Sequence, residues 1–126
     1  MEFLACTRDK ALGMKNGDIS DAQVSASSQL DNNTAAAQGR YTFKQSGNKQ
    51  GGWSALTNDL NQWLQVDLRG HDIKITSVGT QGKNGGEMQF VTTYKLQYSD
   101  DKETFEYYKD SGQPKEKVSS LRHEER

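Results

Sequence analysis

The stretch Asn61-Gln62-Trp63-Leu64-Gln65-Val66-Asp67-Leu68 constrains this chain more than any other. Leu64, Val66 and Leu68 alternate with Gln65 and Asp67. A period of two puts the three apolar side chains on one face of a strand and the polar ones on the other. Asn58-Asp59 before it and Arg69-Gly70 after it are turn chemistry. Trp63 interrupts the polar face, and its indole is expected to lie under a loop rather than in water. A strand with one dry face needs a second layer over that face, so the remaining residues must supply short elements that cover it.

Those elements read as strands. Ile19, Val24 and Ala26 are the apolar points of an extended segment that follows the Asn16-Gly17 turn signal. Residues 29–40 are polar with a run of alanines, which predicts a loop; Asn33 or Thr34 is the available cap for a single helical turn there. Tyr41 and Phe43 have strand spacing, residues 44–52 read as an exposed loop, and Trp53 reads as a core anchor. Ile73, Ile75 and Val78 carry the next apolar signal, and the broken period between 75 and 78 predicts a bulge. Phe90, Thr92, Tyr94, Leu96 and Tyr98 alternate through a second clear strand. Ser99-Asp100-Asp101-Lys102 is a turn, and Phe105, Tyr107 and Tyr108 mark a last short strand. Residues 111–126 carry only Val118 and Leu121 as apolar side chains and are expected to be a polar, largely disordered tail. Short strands, frequent turns and no amphipathic helix predict an all-β sandwich or barrel.

Composition narrows the function. The chain has 126 residues, one domain's worth, and 32% of them are hydrophobic. That falls well short of the usual share of about 45–50% counted with glycine, as in a polar β-domain with long loops or a part of a larger one. A net charge of -1 gives no bulk attraction to nucleic acid or an anionic membrane. No apolar run approaches the length of a transmembrane helix. Met1-Glu2-Phe3-Leu4-Ala5-Cys6 lacks the basic and apolar regions of a signal peptide. The single cysteine, Cys6, has no internal disulfide partner.

No catalytic constellation stands out. The glycines at 79, 82, 85 and 86 are followed by neither Gly-Lys-Ser/Thr nor a helix, which removes the phosphate-loop reading. His71 and His123 are far apart and lack ligand-spaced Cys or Glu, so no metal or cofactor is expected. No nucleophile elbow surrounds any serine. Asp100-Asp101 beside Lys102 reads as a solvated turn rather than an acid–base pair. Asn32-Asn33-Thr34 is an N-glycosylation triplet, which makes Asn32 a glycosylation candidate if the chain is extracellular.

One family resemblance runs through these segments in order. Cys6, Leu12-Gly13-Met14, Gly17-x-Ile19, Ala22-Gln23-Val24-Ser25-Ala26-Ser27-Ser28, Trp53, Asn61 to Leu68, Val78-Gly79-Thr80-Gln81-Gly82 and Tyr94-Lys95-Leu96-Gln97-Tyr98-Ser99-Asp100-Asp101 resemble a discoidin domain, the coagulation factor V/VIII type C fold. The resemblance covers residues 6–110. It implies an antiparallel β-sandwich of jelly-roll type, without catalysis, that binds ligands outside the cell through loops at one end. Two loops, 28–40 and 78–86, look closest to the collagen-binding discoidin domain receptors. Leu30 stands where the receptors have a Trp, Lys83 where they have an Arg, and Gln89 near where they have an acidic residue, while Lys44, Gln45 and Lys49 replace acidic residues of another loop. The closing strands and the second Cys of such a domain are absent, so Cys6 lacks the partner the family gives it and the sandwich is expected to be incomplete.

The expected binding face therefore comprises Leu30, Asp31, Asn32, Asn33, Thr34, Lys44, Lys49, Lys83, Met88, Gln89 and Phe90. Leu30, Met88 and Phe90 are apolar tips, with Phe90 equally suited to packing under its loop, and Lys44, Lys49 and Lys83 form a basic rim. The implied partner is an extracellular matrix protein of collagen type, a cell-surface glycan or a phospholipid head group, and the fold alone does not choose among them. The expected location is extracellular, as a secreted protein or the ectodomain of a larger parent. The alternative is a truncated fragment or splice form that binds nothing.

Overall fold

The computed structural model describes residues 2–5, 10–40, 46–49, 51–69, 75–83, 89–110, 112–114 and 116–118. Cys6, Tyr41, Phe43, Lys44, Ile73, Met88 and both histidines lie outside them. The regular structure among the described residues is strand, apart from two single turns of 3-10 helix at Asp21–Gln23 and Ala36–Gly39, and every strand pair is antiparallel. The all-β expectation holds. The chain divides into two units, Met1–Gln89 and Phe90–Arg126.

In the first unit, strands β1 (Glu2–Ala5), β2 (Lys10–Ala11) and β5 (Ile75–Gly79) form one sheet in the order β2-β1-β5. Leu4 faces Ser77 and Ala5 faces Ile75, so one residue is skipped between them. This is the bulge that the broken period predicts. The strand at Glu2–Ala5 carries no alternating pattern of its own, and the sequence gives no sign of it.

The strand predicted at 64–68 pairs as β4 (Leu64–Val66) with β3 (Val24–Ala26), in the register Val24 to Val66 and Ala26 to Leu64. Among the described residues Met14, Ile19 and Val24 are the buried apolar ones, and Leu12, Ala36, Leu64, Val66 and Leu68 pack against them. The three alternating positions of the opening stretch thus all face this core. Trp63 departs from expectation: its side chain is half exposed, at 49%. Its backbone is used fully instead, with its N–H donating to Ser27 Oγ and its carbonyl accepting from Ser27 N–H, both at 3.0 Å. That pairing fixes the main chain and leaves the indole outside.

The loop feeding Met14 and Ile19 into the core is built on backbone shape. Gly13 has φ +109°, and a Cβ there would collide with the side chain of Asp18. Its carbonyl accepts from the N–H groups of Gly17 and Ile19 at 3.2 and 3.1 Å, and Asn16 Oδ1 accepts from Asp18 N–H at 2.9 Å. Only glycine takes that φ without strain. Arg40 then ties the loop down: Nη1 donates to the carbonyls of Met14 at 3.0 Å and Ile19 at 2.6 Å, while Nε and Nη2 reach Asp21 Oδ1.

In the second unit, the predicted strand at 90–98 is split into β6 (Thr93–Lys95) and β7 (Gln97–Tyr98). Strand β7 pairs with β8 (Glu106–Tyr107), and β9 (Lys109–Asp110) pairs with β10 (Gln113–Pro114). Strand β11 (Glu116–Val118) pairs with β6. Strands β10 and β11 lie beyond residue 110, inside the stretch the sequence reads as a tail. Their composition is polar, so periodicity does not reveal them; the pairing rests on backbone hydrogen bonds.

The 99–104 turn is organised by Asp101. Its Oδ1 accepts from the N–H groups of Glu103 and Thr104, both at 2.8 Å, and from Ser99 Oγ at 2.9 Å. The Thr104 and Glu103 amides, then the Ser99 hydroxyl, hold its pKa down from 3.8 to about 2. Lys102 follows with φ +65°, a shape that suits glycine better than lysine. Because the folded-state value is depressed, the contribution of Asp101 is complete above pH 4 and is lost as the pH falls from about 4 toward 2. An NMR titration of the Asp101 carboxyl should show that low midpoint, and Asp101→Asn should flatten the acid limb of stability. A midpoint near 3.8 would mean the amide bonds do not form.

Candidate functional site

The loop from Ser28 to Thr34 is held at every turn by its own polar side chains. Thr34 is buried, at 4% exposure. Its hydroxyl donates to Asp31 Oδ1 at 3.0 Å and accepts from Asp31 N–H at 3.3 Å. Asn33 N–H donates to the same carboxylate at 2.8 Å, and Thr34 N–H returns to Asp31 O at 3.3 Å. Asx and ST turns of this kind let short polar side chains replace missing secondary structure. Where a loop is expected, a single 3-10 turn forms at Ala36–Gly39, and neither Asn33 nor Thr34 caps it: the turn starts from Ala35 without a side-chain bond, and Thr34 is committed to Asp31.

This loop is laid against the segment 53–56. Leu30 N–H donates to Ser54 O at 2.8 Å, and Ser54 N–H donates to Thr34 O at 3.1 Å. Trp53 Nε1 donates to Ser28 O at 2.8 Å, and Leu56 N–H donates to Ser28 Oγ at 3.0 Å. Ser27 Oγ and Ser28 Oγ both donate to Gln62 Oε1, at 2.8 and 2.6 Å. Gln62 in turn donates to Asp59, whose pKa is lowered by the Asn61 amide first and Gln62 second.

Out of this fixed frame Leu30 projects with 55% exposure. It is not a core residue. Asp31 and Asn32 are exposed beside it, Asn33 is partly so, and Thr34 sits beneath as the fastener. Lys83 is half-buried with its stem against Gly52, and its N–H donates to Gln89 O at 2.8 Å. The structure thus joins the Leu30 loop to Ser54, and Lys83 to Gly52 two residues earlier. Lys49 lies on a separate exposed turn closed by paired bonds between Ser46 and Lys49 at 3.0 and 3.1 Å. Phe90 belongs to the second unit and is exposed at 40%. Lys44 and Met88 lie outside the described residues.

Sequence reasoning passed over Leu56, which is 62% exposed and tethered through its N–H to the same loop. The signal was available. Leu56, like Leu30, is a large aliphatic residue beside polar turn residues. Among the described residues no cluster of three or more His, Cys, Asp or Glu is placed to hold a metal, and no helix is long and apolar enough to cross a membrane.

A profile of the F5/8 type C domain matches residues 23–124. The chain belongs to that family, the discoidin domains. The match runs past residue 110 and takes in β10 and β11. Human EGF-like repeat and discoidin I-like domain-containing protein 3 is 41% identical over 125 residues, which is 94% of this chain and 26% of that protein. Rat lactadherin is 36% identical over 121 residues, 90% of this chain and 28% of that protein. Human neuropilin-1 is 34% identical over 108 residues, 83% of this chain and 11% of that protein. The chain thus spans about a quarter of the first two relatives and less of the third. Discoidin domains are extracellular ligand-binding modules rather than enzymes, and the antiparallel strands described above are those of the family's β-sandwich.

Proposed function

We propose that this discoidin domain is an adhesion module that grips an extracellular matrix protein of collagen type. Leu30, with Leu56 beside its loop, is the apolar contact; Asp31, Asn33, Lys49, Lys83 and Gln89 are the polar surround. The observation that carries the reading is Leu30 itself, an exposed apolar side chain on a loop whose backbone is fixed by bonds to Ser54 and by Thr34. A preordered loop loses little conformational freedom on binding, so the apolar contact is not spent on ordering. Two features favour a protein over the other ligand classes. A flat membrane contact wants apolar tips with basic charge immediately beside them, whereas the residue beside Leu30 is the exposed Asp31 and Lys49 lies on a separate turn. A glycan contact wants an exposed aromatic face, and the aromatic nearest this loop, Trp53, is partly buried with its indole N–H bound to Ser28.

The test is Leu30→Asp, assayed against an immobilised collagen triple helix and against phosphatidylserine vesicles. Burying a leucine contributes about 1.5–3 kcal/mol, so collagen binding is expected to weaken at least tenfold, at about 1.4 kcal/mol per decade. The far-UV spectrum should not change. Unaltered collagen binding, or a wild-type chain that prefers the vesicles, would refute the assignment.

A further inference from the structure

The triplet Asn32-Asn33-Thr34 sits in this loop in a form that restricts when it can be modified. Asn32 is exposed, and its Oδ1 accepts from Gln29 Nε2 at 3.1 Å. Its Nδ2, the atom that would carry a sugar, makes no hydrogen bond to another described residue. A glycan on Nδ2 therefore breaks no bond in the folded loop. Thr34 is in the opposite situation. Its hydroxyl, which defines the acceptor triplet, is buried and held on both sides by Asp31. The triplet is also bent into a turn by the bond from Thr34 N–H to Asp31 O. An acceptor must present Asn and the hydroxyl together on an accessible segment. The folded loop shows the first and hides the second.

We propose that Asn32 carries an N-linked glycan added before the 28–34 loop closes, and that this glycan limits what can reach Leu30. The second half rests on the binding role assigned to Leu30 above. The transfer uses a polyprenyl-diphosphate-linked oligosaccharide. The anomeric C–O bond to the diphosphate breaks, the anomeric carbon bonds to Nδ2, the lipid diphosphate leaves with the electron pair, and the amide gives up one proton. Folding then locks Thr34 under Asp31 and leaves the glycan outside, two residues from the Leu30 tip. A bulky hydrated group there holds a flat bilayer away from Leu30 and leaves room for a narrow rod-like protein ligand.

The full chain is expressed behind a secretion leader in eukaryotic cells, as wild type and as Asn32→Gln. Mass spectrometry should find Asn32 glycosylated in most wild-type molecules, with release by peptide N-glycosidase converting it to Asp. A bare Asn32 in the secreted wild type overturns the proposal. Unglycosylated chain is then offered to purified oligosaccharyltransferase with the lipid-linked donor, folded and urea-unfolded. The unfolded chain should be modified and the folded one spared; equal modification overturns the timing. Finally, trimming the glycan with an endoglycosidase, which leaves the Asn32 amide uncharged, should raise binding to phosphatidylserine vesicles and change collagen binding little. Unchanged vesicle binding overturns the access role. Failure of Leu30→Asp to weaken collagen binding would sink the binding role alone, since the occupancy of Asn32 is read by mass.

Discussion

Shortening Met14 to alanine will destabilise the first unit by about 2–5 kcal/mol, the range for emptying a buried long side chain. Met14 is fully buried at 0% exposure, and the other buried apolar residues described are Ile19 and Val24. Among the described residues few side chains are fully enclosed, so those beside Met14 offer little material with which to refill a hole. Domains of this size carry about 5–15 kcal/mol in all, so the variant should be near its limit. Urea unfolding should show a lower midpoint with an unchanged slope. A loss below about 1 kcal/mol would mean that neighbours collapse into the space and that Met14 does not set the core.

Arg40→Met comes second, with an expected loss of about 3 kcal/mol. The reason is not the ion pair. Asp21 is 75% exposed in that pair, and exposed pairs contribute about 0–1 kcal/mol. The loss comes from the Met14 and Ile19 carbonyls, which accept from Nη1. A hydrogen bond with a charged partner contributes about 1.5–3 kcal/mol, and neither carbonyl finds a replacement donor in methionine. Asp21→Asn should therefore cost less than about 1 kcal/mol by the same measurement, and Arg40→Lys should recover only part of the loss, because ammonium lacks the fork. If Asp21→Asn matched Arg40→Met, the salt bridge would be the main contact and this account would fail.

Arg40 also shows where sequence reading stops. Leu64, Val66 and Leu68 declare their shared face by spacing, and Ile19 and Val24 declare theirs as isolated apolar points. An arginine at the end of a polar loop declares nothing, because its carbonyl partners lie on a segment 21 and 26 residues away. The bulge at 75–77 was legible because it disturbs a period. Strand β1 was not, since four residues without alternation carry too little pattern, and β10 and β11 are too polar for their pairing to leave a trace. At the candidate site, Leu30 and the glycosylation triplet could be read directly. The fastening of Thr34 by Asp31 could not, and the sequence assigned Thr34 to the binding face when its hydroxyl works inward. The exposure of the Trp63 indole is not legible either, because the main-chain pairing with Ser27 that leaves it outside has no mark in the spacing of apolar residues.

The pairing of β3 with β4 has a kinetic side. Gln23 Nε2 donates to Asp67 O across 44 residues of chain. Closing a loop of that length costs about 3 kcal/mol of chain entropy before any contact repays it. The rewards come together, because the Val24–Val66 register, the bonds from the Ser27 and Ser28 hydroxyls to Gln62 and the enclosure of Met14 all depend on the same closure. Domains dominated by such distant contacts fold in milliseconds to seconds rather than microseconds. The chain therefore spends that interval with Val24–Ala26 and the apolar face of Leu64, Val66 and Leu68 apart and available to other molecules, and the speed with which Ser27 and Ser28 find Gln62 decides how long it does so.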